Sequence, residues 1–358
     1  MSSDLKGLIL AGGKGTRLRP ITHTSAKQLV PVANKPVLFY GIEALCNAGI
    51  EEIGMIVAPE TQDEIHAATG DGSQWNVNIT YIEQREPLGL AHAVLTAEEY
   101  LDSSPFVMYL GDNLLKDGIT DLVETFRSST PDALILLTQV ADPEHYGVAE
   151  LSGGRVTKLT EKPKNPSSNL ALVGVYMFTP EIFAAAKEIE PSGRGELEIT
   201  DAIQAVIDRG KRVEPHIVKG WWKDTGQLDD MLEANRLILE SLETDIQGEL
   251  IDTEIHGKVV VGAGARLERS TVRGPAIIGA DARLTDAYVG PYTAIERNVT
   301  IERAEVEHSI ILSSATIRDL DARIEASLIG KNVELRRNHA LPKAYRFIVG
   351  DNSEIALL

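Results

Sequence analysis

Cysteine is almost missing from this chain of 358 residues, in which Cys46 stands alone. A single cysteine excludes a disulfide framework and a cysteine-rich zinc site. Leu38, Ile42 and Leu45 have helical spacing around it. The pattern therefore predicts that Cys46 is a small core residue of a helix.

Positive charge is scarce as well, because 35 lysines and arginines oppose 53 aspartates and glutamates. The formal net charge of −18 argues against a protein that binds nucleic acid or anionic membranes. The sequence also lacks an apolar run of about 18 residues, which a membrane span requires, and a leader-like segment. We therefore expect a soluble cytoplasmic protein with neither nucleic acid nor a membrane as its partner.

From Leu5 to about Val140, short apolar segments alternate with helical patterns. The predicted strands are KGLILAG, EIGMIV, ITYIE, FVMYLGD and ALILLTQV, and the predicted helices are Pro36–Asn47, Thr61–Ala68, Gly89–Leu101, Ile119–Arg127, Glu198–Arg209 and Gln227–Leu242. Continuously apolar strands that alternate with helices indicate an α/β fold with a doubly wound, mostly parallel, Rossmann-like sheet. Between Tyr146 and Phe178 the segments are shorter, and we expect a lobe over the sheet edge.

After Gln247 the pattern changes to a repeated motif, apolar-Gly-x-x-small-x-apolar, with one copy that lacks the glycine. Its copies begin at Val261, Ile278, Val289, Ile311 and Ile329. Periodicity close to six residues is typical of a left-handed parallel β-helix, and the uneven spacing suggests distorted coils. The sequence thus predicts a catalytic domain over residues 1–245 and a β-helix domain with a tail over residues 246–358.

The segment from Leu8 to Pro36 combines glycines and cations in an unusual way. Gly12, Gly13 and Gly15 follow the first predicted strand, and the basic residues of the next turn are Lys14, Arg17, Arg19 and Lys27. Glycines after a parallel strand let backbone N–H groups approach an anion. The sequence has no G-x-x-x-x-G-K-[ST], and Leu18 stands where G-x-G-x-x-G requires glycine. A phosphate site of another kind is therefore predicted.

The same segment resembles the signature of the sugar-1-phosphate nucleotidyltransferases, G-G-x-G-T-R-L-x-P-x-T … K-x-L-x-P-V … K-P. Within that family the similarity is greatest to thymidylyltransferases that act on glucose 1-phosphate. The stretches that carry it are GDGSQWNVNITYIEQ (70–84), PLGLAHA (87–93), LGDN (110–113), HYGVAE (145–150), EKP (161–163), LVGVYMF (172–178), RGELEITD (194–201) and WWKDTG (221–226). The resemblance covers about residues 5–240, and the repeats match the long members of the family.

In such an enzyme a sugar-phosphate oxygen attacks the α-phosphorus of a nucleoside triphosphate, and pyrophosphate leaves. Two anions must be brought together, which requires cations, backbone donors and carboxylates that hold Mg²⁺. The resemblance implies that dTTP and glucose 1-phosphate are the substrates and that Asp112 and Asp224 hold the metal. The implied nucleotide-binding residues are Leu10, Gly12, Gly13, Gly15, Thr16, Arg17, Gln84, Gly89 and Asp112.

The resemblance also implies a sugar-phosphate pocket. Its residues are Tyr146, Gly147, Glu161, Lys162, Val173, Gly174, Arg194 and Trp222. The implied catalytic set is Arg17, Lys27, Asp112, Lys162 and Asp224. Taken alone, the Glu161-Lys162 pair is typical of a solvated surface, and Asp112 has the position of a capping residue before a turn.

Several alternatives remain open at this stage. A uridylyltransferase is the nearest one, because a methyl group on the pyrimidine is worth only about 1–3 kcal/mol to a pocket. A bifunctional enzyme is another, in which the β-helix is an acyltransferase with His256, His308 or His339 as its base. A non-catalytic regulatory subunit is disfavoured, because Arg17, Asp112, Lys162 and Asp224 are all present.

A homo-oligomer is expected from the repeat region. The run VRGPAIIGADARLTDAYVG has few charges, and an exposed apolar face of that size is typical of an interface. The proposed catalytic residues all precede residue 230. The sequence therefore predicts that truncation near Gln247 weakens assembly before it abolishes nucleotidyl transfer.

Overall fold

A computed structural model of the chain describes residues 5–13, 15–338 and 345–356. Lys14 and His339 lie outside these described residues. The described residues form two compact units. The first contains residues 5–13, 25–29 and 37–224, and the second contains residues 15–24, 30–36 and those from 225 onward.

The helices and strands follow the chain in this order. The helices are α1 (Val37–Asn47), α2 (Gln62–Thr69), α3 (Leu90–Thr96), α4 (Glu98–Leu101), α5 (Thr120–Ser129), α6 (Glu181–Ala186), α7 (Ile199–Asp208) and α8 (Leu228–Leu239). The strands before residue 225 are β1 (Lys6–Leu10), β2 (Pro31–Val32), β3 (Lys35–Pro36), β4 (Glu52–Val57), β5 (Asn78–Glu83), β6 (Phe106–Leu110), β7 (Asn113–Leu115), β8 (Ala133–Gln139), β9 (Gly147–Ser152), β10 (Arg155–Glu161), β11 (Leu170–Phe178), β12 (Val213–Ile217) and β13 (Trp222–Asp224).

The first unit is built on one mixed sheet. Its main order is β12-β8-β11-β6-β1-β4-β5, and β9 with β10 joins the first part of β11. Strands β6, β1, β4 and β5 are parallel neighbours, as the apolar runs predict. Strand β11 is antiparallel to both β6 and β8. The doubly wound α/β fold is therefore confirmed, with a parallel half and an antiparallel insertion.

Helices cover both faces of this sheet, because its strands are apolar on both sides. Leu8 packs with the cluster that contains Ala202 of α7, whereas Ile9 packs with the cluster that contains Ile42 of α1. All four side chains are fully buried. The core thus extends along both faces of the sheet, and it leaves the strand ends to carry polar residues.

Two local predictions were wrong, and one helix was missed. Segment 146–178 is not only a lobe, because its strand β11 lies in the middle of the sheet between β6 and β8. Pro36 does not begin the first helix: it pairs with Pro31 in a short hairpin, and α1 begins at Val37. Helix α6 was not predicted, because its six residues are too few to show a clear period.

The second unit contains a left-handed parallel β-helix, as predicted. Its strands are β14 (Asp245–Ile246), β15 (Glu249–Ile251), β16 (Glu254–His256), β17 (Val259–Val261), β18 (Arg266–Glu268), β19 (Thr271–Arg273), β20 (Ala276–Ile278), β21 (Arg283–Thr285), β22 (Tyr288–Val289), β23 (Thr293–Ile295), β24 (Thr300–Glu302), β25 (Glu305–Glu307), β26 (Ile310–Ile311), β27 (Thr316–Arg318), β28 (Ile324–Glu325), β29 (Leu328–Ile329) and β30 (Glu334–Arg336). They form three parallel sheets in which every third strand is a neighbour.

The coils are more regular than the motif spacing suggested. Val261, Ile278, Ile295, Ile311 and Ile329 pair in succession on one sheet. The sequence search identified four of these positions, but it placed a copy at Val289, which lies on another sheet. It missed the copy at Ile295 because Glu296 replaces the motif glycine there.

The apolar residues of the β-helix fill its interior. In the run at 272–290, Val272, Ile278, Leu284 and Val289 are fully buried. The exposed apolar face that the sequence analysis expected is therefore not present in this run. Homo-oligomerisation stays a prediction, without support from an apolar face in this run.

The second unit also holds parts of the signature segment. Asn235 of α8 is fully buried, accepts a hydrogen bond from the Ala33 N–H (2.9 Å) and donates one to the Tyr292 carbonyl (2.9 Å). Asn34 donates to the Ile295 carbonyl at 2.7 Å. Side-chain amides thus join the turn at 33–34 to the β-helix.

The compact units do not divide the chain at residue 245. Helix α8 precedes residue 245 but belongs to the same compact unit as the β-helix. The division at 245 and 246 follows the repeat pattern and stays a prediction. No helix among the described residues has both the length and the apolar character to cross a membrane.

Candidate active site

Parallel neighbouring strands bring two predicted site segments together. Leu10 at the end of β1 is opposite Leu110 at the end of β6, and Gly111 donates its N–H to the Leu10 carbonyl at 3.0 Å. The loop that begins at Gly12 and the side chain of Asp112 therefore start from the same edge of the sheet. This is the edge at which ligands bind in open α/β sheets.

Lys27, Asp112 and Asp224 converge on one point. The Lys27 ammonium donates a hydrogen bond to Asp112 Oδ2 and lies 3.8 Å from Asp224 Oδ1. Its side chain is only 8% exposed, so solvent screens this charge cluster weakly. The structure thus brings together three of the five predicted catalytic residues.

A short antiparallel pairing places Asp224 in this cluster. Strand β13 pairs with β7, so that Asp224 lies opposite Asn113, the residue after Asp112. Asn113 donates to Asp112 Oδ1 at 2.9 Å and accepts from Trp222 Nε1 at 2.6 Å. The buried Asn113 amide therefore fixes the orientation of Asp112 and of Trp222.

The electrostatics of the cluster favour an ionised Asp112. Burial acts to raise the pKa of its carboxyl, but the Lys27 charge and hydrogen bonds from Lys27 and Asn113 act in the opposite direction. The net effect is a pKa below the ordinary value of aspartate. Asp112 is thus a carboxylate at neutral pH, as a metal ligand must be.

The glycine loop approaches two glutamine side chains. A methyl group on Gly13 would lie 3.3 Å from Gln28 Nε2, and one on Gly12 would lie 3.7 Å from Gln84 Oε1. Gln84 follows β5, and its amide nitrogen lies 3.3 Å from the Gly89 carbonyl and 2.9 Å from His92 Nδ1. The structure therefore places Gln84 and Gly89 together, near the glycine loop.

A second group of charges surrounds Glu161 at the end of β10. Glu161 accepts hydrogen bonds from Arg194 (3.2 Å) and Thr200 (3.1 Å), and the Lys162 ammonium lies 3.8 Å away. Burial raises the pKa of Glu161, and the Glu198 carboxylate raises it further. The predicted sugar-phosphate residues Glu161, Lys162 and Arg194 thus form one cluster.

Lys162 has an unusual backbone conformation for a lysine, with φ of 40°. Its N–H donates to the Tyr146 carbonyl at 3.0 Å, which holds the chain in the left-handed region. The Tyr146 ring contacts the Trp222 ring edge-on, with centroids 5.5 Å apart. Tyr146 and Trp222 therefore link the Glu161 cluster to the Asp224 strand.

Two glycines of the predicted pocket are required sterically. A methyl group on Gly147 would lie 2.6 Å from Thr200 Cγ2, and one on Gly174 would lie 2.6 Å from Asn113 Oδ1. Gly174 also donates its N–H to that Asn113 oxygen at 3.2 Å. The Val173 side chain is fully buried in the core, so only its backbone is available to a ligand.

Sequence reasoning missed Asn113 and Glu198. Glu198 is only 4% exposed and binds Arg194 through both oxygens, with contacts of 2.8 Å from Nη2. Both residues lie within the stretches LGDN and RGELEITD that carry the family resemblance. Their polar side chains, close in sequence to proposed site residues, could have indicated them. Arg194, expected to bind phosphate, is here held by the carboxylates of Glu161 and Glu198.

The remaining nucleotide-binding candidates lie in the second unit. Gly15 has φ of 59°, and its carbonyl accepts a hydrogen bond from the Thr22 hydroxyl at 2.6 Å. A 3₁₀ turn over Thr16–Leu18 follows and exposes Arg17. Arg17 forms no ion pair with any residue that the structure describes.

The carboxylates of the site have the chemistry of metal ligands. Within the described ranges, no group of three or more His, Cys, Asp or Glu side chains is placed to hold a metal ion. Mg²⁺, however, needs only one or two carboxylates when substrate phosphates and water complete its shell. Asp112 and Asp224 already converge on the Lys27 cation, so this pair fits such an ion.

The histidines of the alternative acyltransferase site do not converge. His256 lies on β16 and His308 follows β25, three strands along the same sheet. That separation is about 15 Å at the usual strand spacing. His256 and His308 therefore do not share a site, and the alternative would depend on one of them alone.

Comparison with known proteins agrees with this geometry. Residues 6–241 match the family model described as nucleotidyl transferase. The chain is 55% identical over 99% of both chains to a glucose-1-phosphate thymidylyltransferase of Streptomyces antibioticus. It is 52% identical over 98% of both chains to one of Streptomyces griseus.

A solved structure is similar as well. It is a crystal structure of a candidate glucose-1-phosphate thymidylyltransferase from Bacillus anthracis in complex with sucrose, with a TM-score of 0.62 and 36% identity. The match covers 65% of this chain and 95% of that one. The predicted family is thereby confirmed, and the chain belongs to the nucleotidyl transferase family.

Proposed function

We propose that the protein joins glucose 1-phosphate to the thymidylyl group of dTTP and releases pyrophosphate. The proposed substrates rest on the near-complete alignment with two thymidylyltransferases, at 55% and 52% identity. The cluster of Lys27, Asp112 and Asp224 at the carboxyl edge of the sheet supports the chemistry. No observation favours UTP over dTTP.

In the proposed reaction, a phosphate oxygen of glucose 1-phosphate forms a bond to the α-phosphorus of dTTP. The bond from that phosphorus to the pyrophosphate oxygen breaks in line. Lys27 and Arg17 neutralise charge on the transferring and leaving phosphates, and backbone N–H groups of the glycine loop donate to them. Nucleotide contacts are proposed for the backbone of Leu10, Gly12, Gly13, Gly15 and Thr16.

A divalent cation, Mg²⁺, is proposed at Asp112 and Asp224. When bound, it would offset the negative charge of the triphosphate. Asn113 supports this role because its side chain donates to Asp112 Oδ1 and leaves Oδ2 oriented toward Lys27. Orientation of metal-binding carboxylates by such hydrogen bonds is common.

The Glu161 cluster is proposed to hold the sugar phosphate. Lys162 would bind the phosphate and Glu161 the sugar hydroxyls, with Tyr146, Gly147, Val173, Gly174 and Trp222 as the wall. Arg194 is proposed as a further phosphate contact, although Glu198 already engages its guanidinium. Gln84 and Gly89 are proposed to contact the nucleobase.

A cytoplasmic location and a homo-oligomeric state complete the proposal. Both substrates are phosphorylated metabolites, which supports the location. Assembly is proposed because several apolar residues of the tail are exposed, including Tyr345 (75%) and Ile348 (90%).

A nucleotide panel tests the proposed function. The full chain is incubated with glucose 1-phosphate, Mg²⁺ and one of dTTP, UTP, ATP or GTP, and pyrophosphate release is measured. Fastest release with dTTP is expected. Preference for UTP would replace the proposal with a uridylyltransferase, and release with none of them would contradict nucleotidyl transfer to this sugar.

A further inference from the structure

The contacts of Gln84 determine which way its amide points. The Gly89 carbonyl can only accept a hydrogen bond, so the end of the amide that lies 3.3 Å from it must be the nitrogen. The same nitrogen lies 2.9 Å from His92 Nδ1, which must therefore accept its second proton. His92 is thus the neutral tautomer with its proton on Nε2.

The Gly89 carbonyl is itself held in place. Gly89 has φ of 104°, and a methyl group there would lie 2.5 Å from the Leu197 carbonyl oxygen. Leu197 fixes both sides of this glycine, because it donates to the Leu88 carbonyl (2.7 Å) and accepts from Ala91 (3.0 Å). The acceptor that orients Gln84 is therefore a rigid part of the backbone.

Both amide protons of Gln84 are consequently engaged, and its Oε1 is left as the polar atom for a ligand. The Gln84 backbone is also fixed, since its N–H donates to the Val57 carbonyl at 2.9 Å. Oε1 faces the glycine loop, 3.7 Å from the position of a methyl group on Gly12. This site offers the ligand a hydrogen-bond acceptor and no amide donor.

We infer that His92 is a positioning residue that sets nucleobase specificity through Gln84. The inference rests on the proposed function, in which Gln84 contacts the pyrimidine. Thymine and uracil carry a donor at N3, which Oε1 accepts, whereas N3 of cytosine is an acceptor and meets Oε1 lone pair to lone pair. A bound base covers this partly buried acceptor, and an acceptor that is covered without receiving a hydrogen bond disfavours the wrong base. His92 therefore selects bases with an N3–H and rejects cytosine.

Two variants and three deoxynucleotides test the inference. His92→Leu removes the acceptor, and His92→Gln keeps one at similar size. The kcat/KM of each protein is measured with dTTP, dUTP and dCTP in the presence of glucose 1-phosphate. In His92→Leu the preference for dTTP over dCTP should fall about tenfold, whereas His92→Gln should retain it. The ratio of dTTP to dUTP should stay constant in both, because both bases have N3–H.

Three outcomes would overturn the inference. These are an unchanged dTTP-to-dCTP ratio in His92→Leu, an equal loss in both variants, or a parallel change in the dTTP-to-dUTP ratio. Nitrogen NMR of the intact chain with labelled histidine gives an independent reading that needs no variant. The inference requires an unprotonated Nδ1 on His92 at neutral pH, and a protonated Nδ1 contradicts it. If the wild-type chain fails to use dTTP at all, the proposed function fails instead.

Discussion

At the scale of single residues, two carboxylates share the charge of one buried lysine. Asp112→Asn and Asp224→Asn each remove a negative charge from the proposed metal position while keeping side-chain size. We expect each change to lower kcat by at least about 100-fold at saturating Mg²⁺ and to leave the circular dichroism spectrum unchanged. The exposed Asp63→Asn is the matched control, with expected wild-type turnover. Near-normal kcat in either site variant would remove that residue from the metal site.

Arg17 and Lys162 are expected to act at different points of the reaction. Arg17→Ala should lower kcat by about 10²–10³, because one well-placed donor to developing charge contributes that much. Lys162→Ala should mainly raise the KM for glucose 1-phosphate. Steady-state kinetics with each substrate varied separate the two effects. Equal, small changes in both parameters would contradict the assignments.

Glu161 should make stability depend on pH. Burial, and then Glu198, raise the pKa of Glu161 in the folded protein, so the native state holds this proton more tightly than the unfolded chain. Its contribution to stability is present at acidic pH and is lost as pH rises from the ordinary glutamate pKa of about 4.3 through the raised value. Glu161→Gln should therefore gain thermal stability relative to wild type at pH 7 more than at pH 4. An identical difference in Tm at the two pH values would contradict this, and the exposed Glu144→Gln is the control.

Motifs named the charged residues of the candidate site but not the residues that orient them. Lys27, Asp112 and Asp224 come from three motifs that are far apart in sequence, namely the signature segment, LGDN and WWKDTG, and the family resemblance assigned them to one site. Asn113 orients Asp112, and Glu198 holds Arg194. Their positions depend on the β7–β13 pairing and on the start of α7, which a motif does not contain. Val173 was assigned to the sugar pocket from a motif that cannot separate a backbone contact from a core side chain.

At the scale of elements, periodicity predicted the helices and strands whose apolar pattern lies within a single segment of the chain. The parallel strands and the longer helices have their own apolar patterns, and their ends were predicted within about three residues. The single helix predicted over Gly89–Leu101 is two helices, α3 and α4. Strand β11 was misplaced because its antiparallel insertion depends on both of its neighbours. The β-helix repeat at Ile295 was missed because Glu296 stands at the glycine position of the motif. The coil forms there nonetheless, and the Glu296 carboxylate accepts a hydrogen bond from the Ser313 N–H of the next coil at 2.7 Å.

Asn235 of α8 provides a test of how the signature segment is held. Asn235→Ala would remove the fully buried amide that pairs with the Ala33 N–H and with the partly buried Tyr292 carbonyl. Each unsatisfied buried group costs about 1–3 kcal/mol, so the free energy of unfolding should fall by at least that amount. Denaturant titration measures it. The exposed Asn165→Ala is the matched control, and an equal loss in both variants would show that the bridge contributes nothing.

At the scale of the whole molecule, neither compact unit is one continuous stretch of the sequence. Residues 15–24 and 30–36 precede nearly all of the sheet, yet they group with α8 and the β-helix. A method that divides the sequence where its composition changes cannot detect this, because the contacts join positions about 260 residues apart, such as Asn34 and Ile295. The repeat pattern predicted the β-helix but not what packs against it.

Truncation after Gln247 tests the consequence for activity. The sequence alone predicted that the shortened chain would lose assembly before nucleotidyl transfer. The contacts reverse that expectation. Truncation removes Ile295, which accepts from Asn34, and Tyr292, which accepts from Asn235. It also removes Gly330, where an added methyl group would lie 3.3 Å from the Ile21 side chain of the signature segment.

We therefore expect the shortened chain to lose most of its pyrophosphate release, because the segment that carries Arg17 loses its support. Pyrophosphate release, circular dichroism and sedimentation are measured together on the full-length and shortened chains. The double change of Asn34→Ala with Asn235→Ala in the full-length chain is the companion variant, since it weakens the same support while the β-helix remains. It should lower kcat in the same direction and leave the sedimentation coefficient unchanged. A shortened chain that is folded and transfers at the full-length rate would show that the β-helix does not support the signature segment.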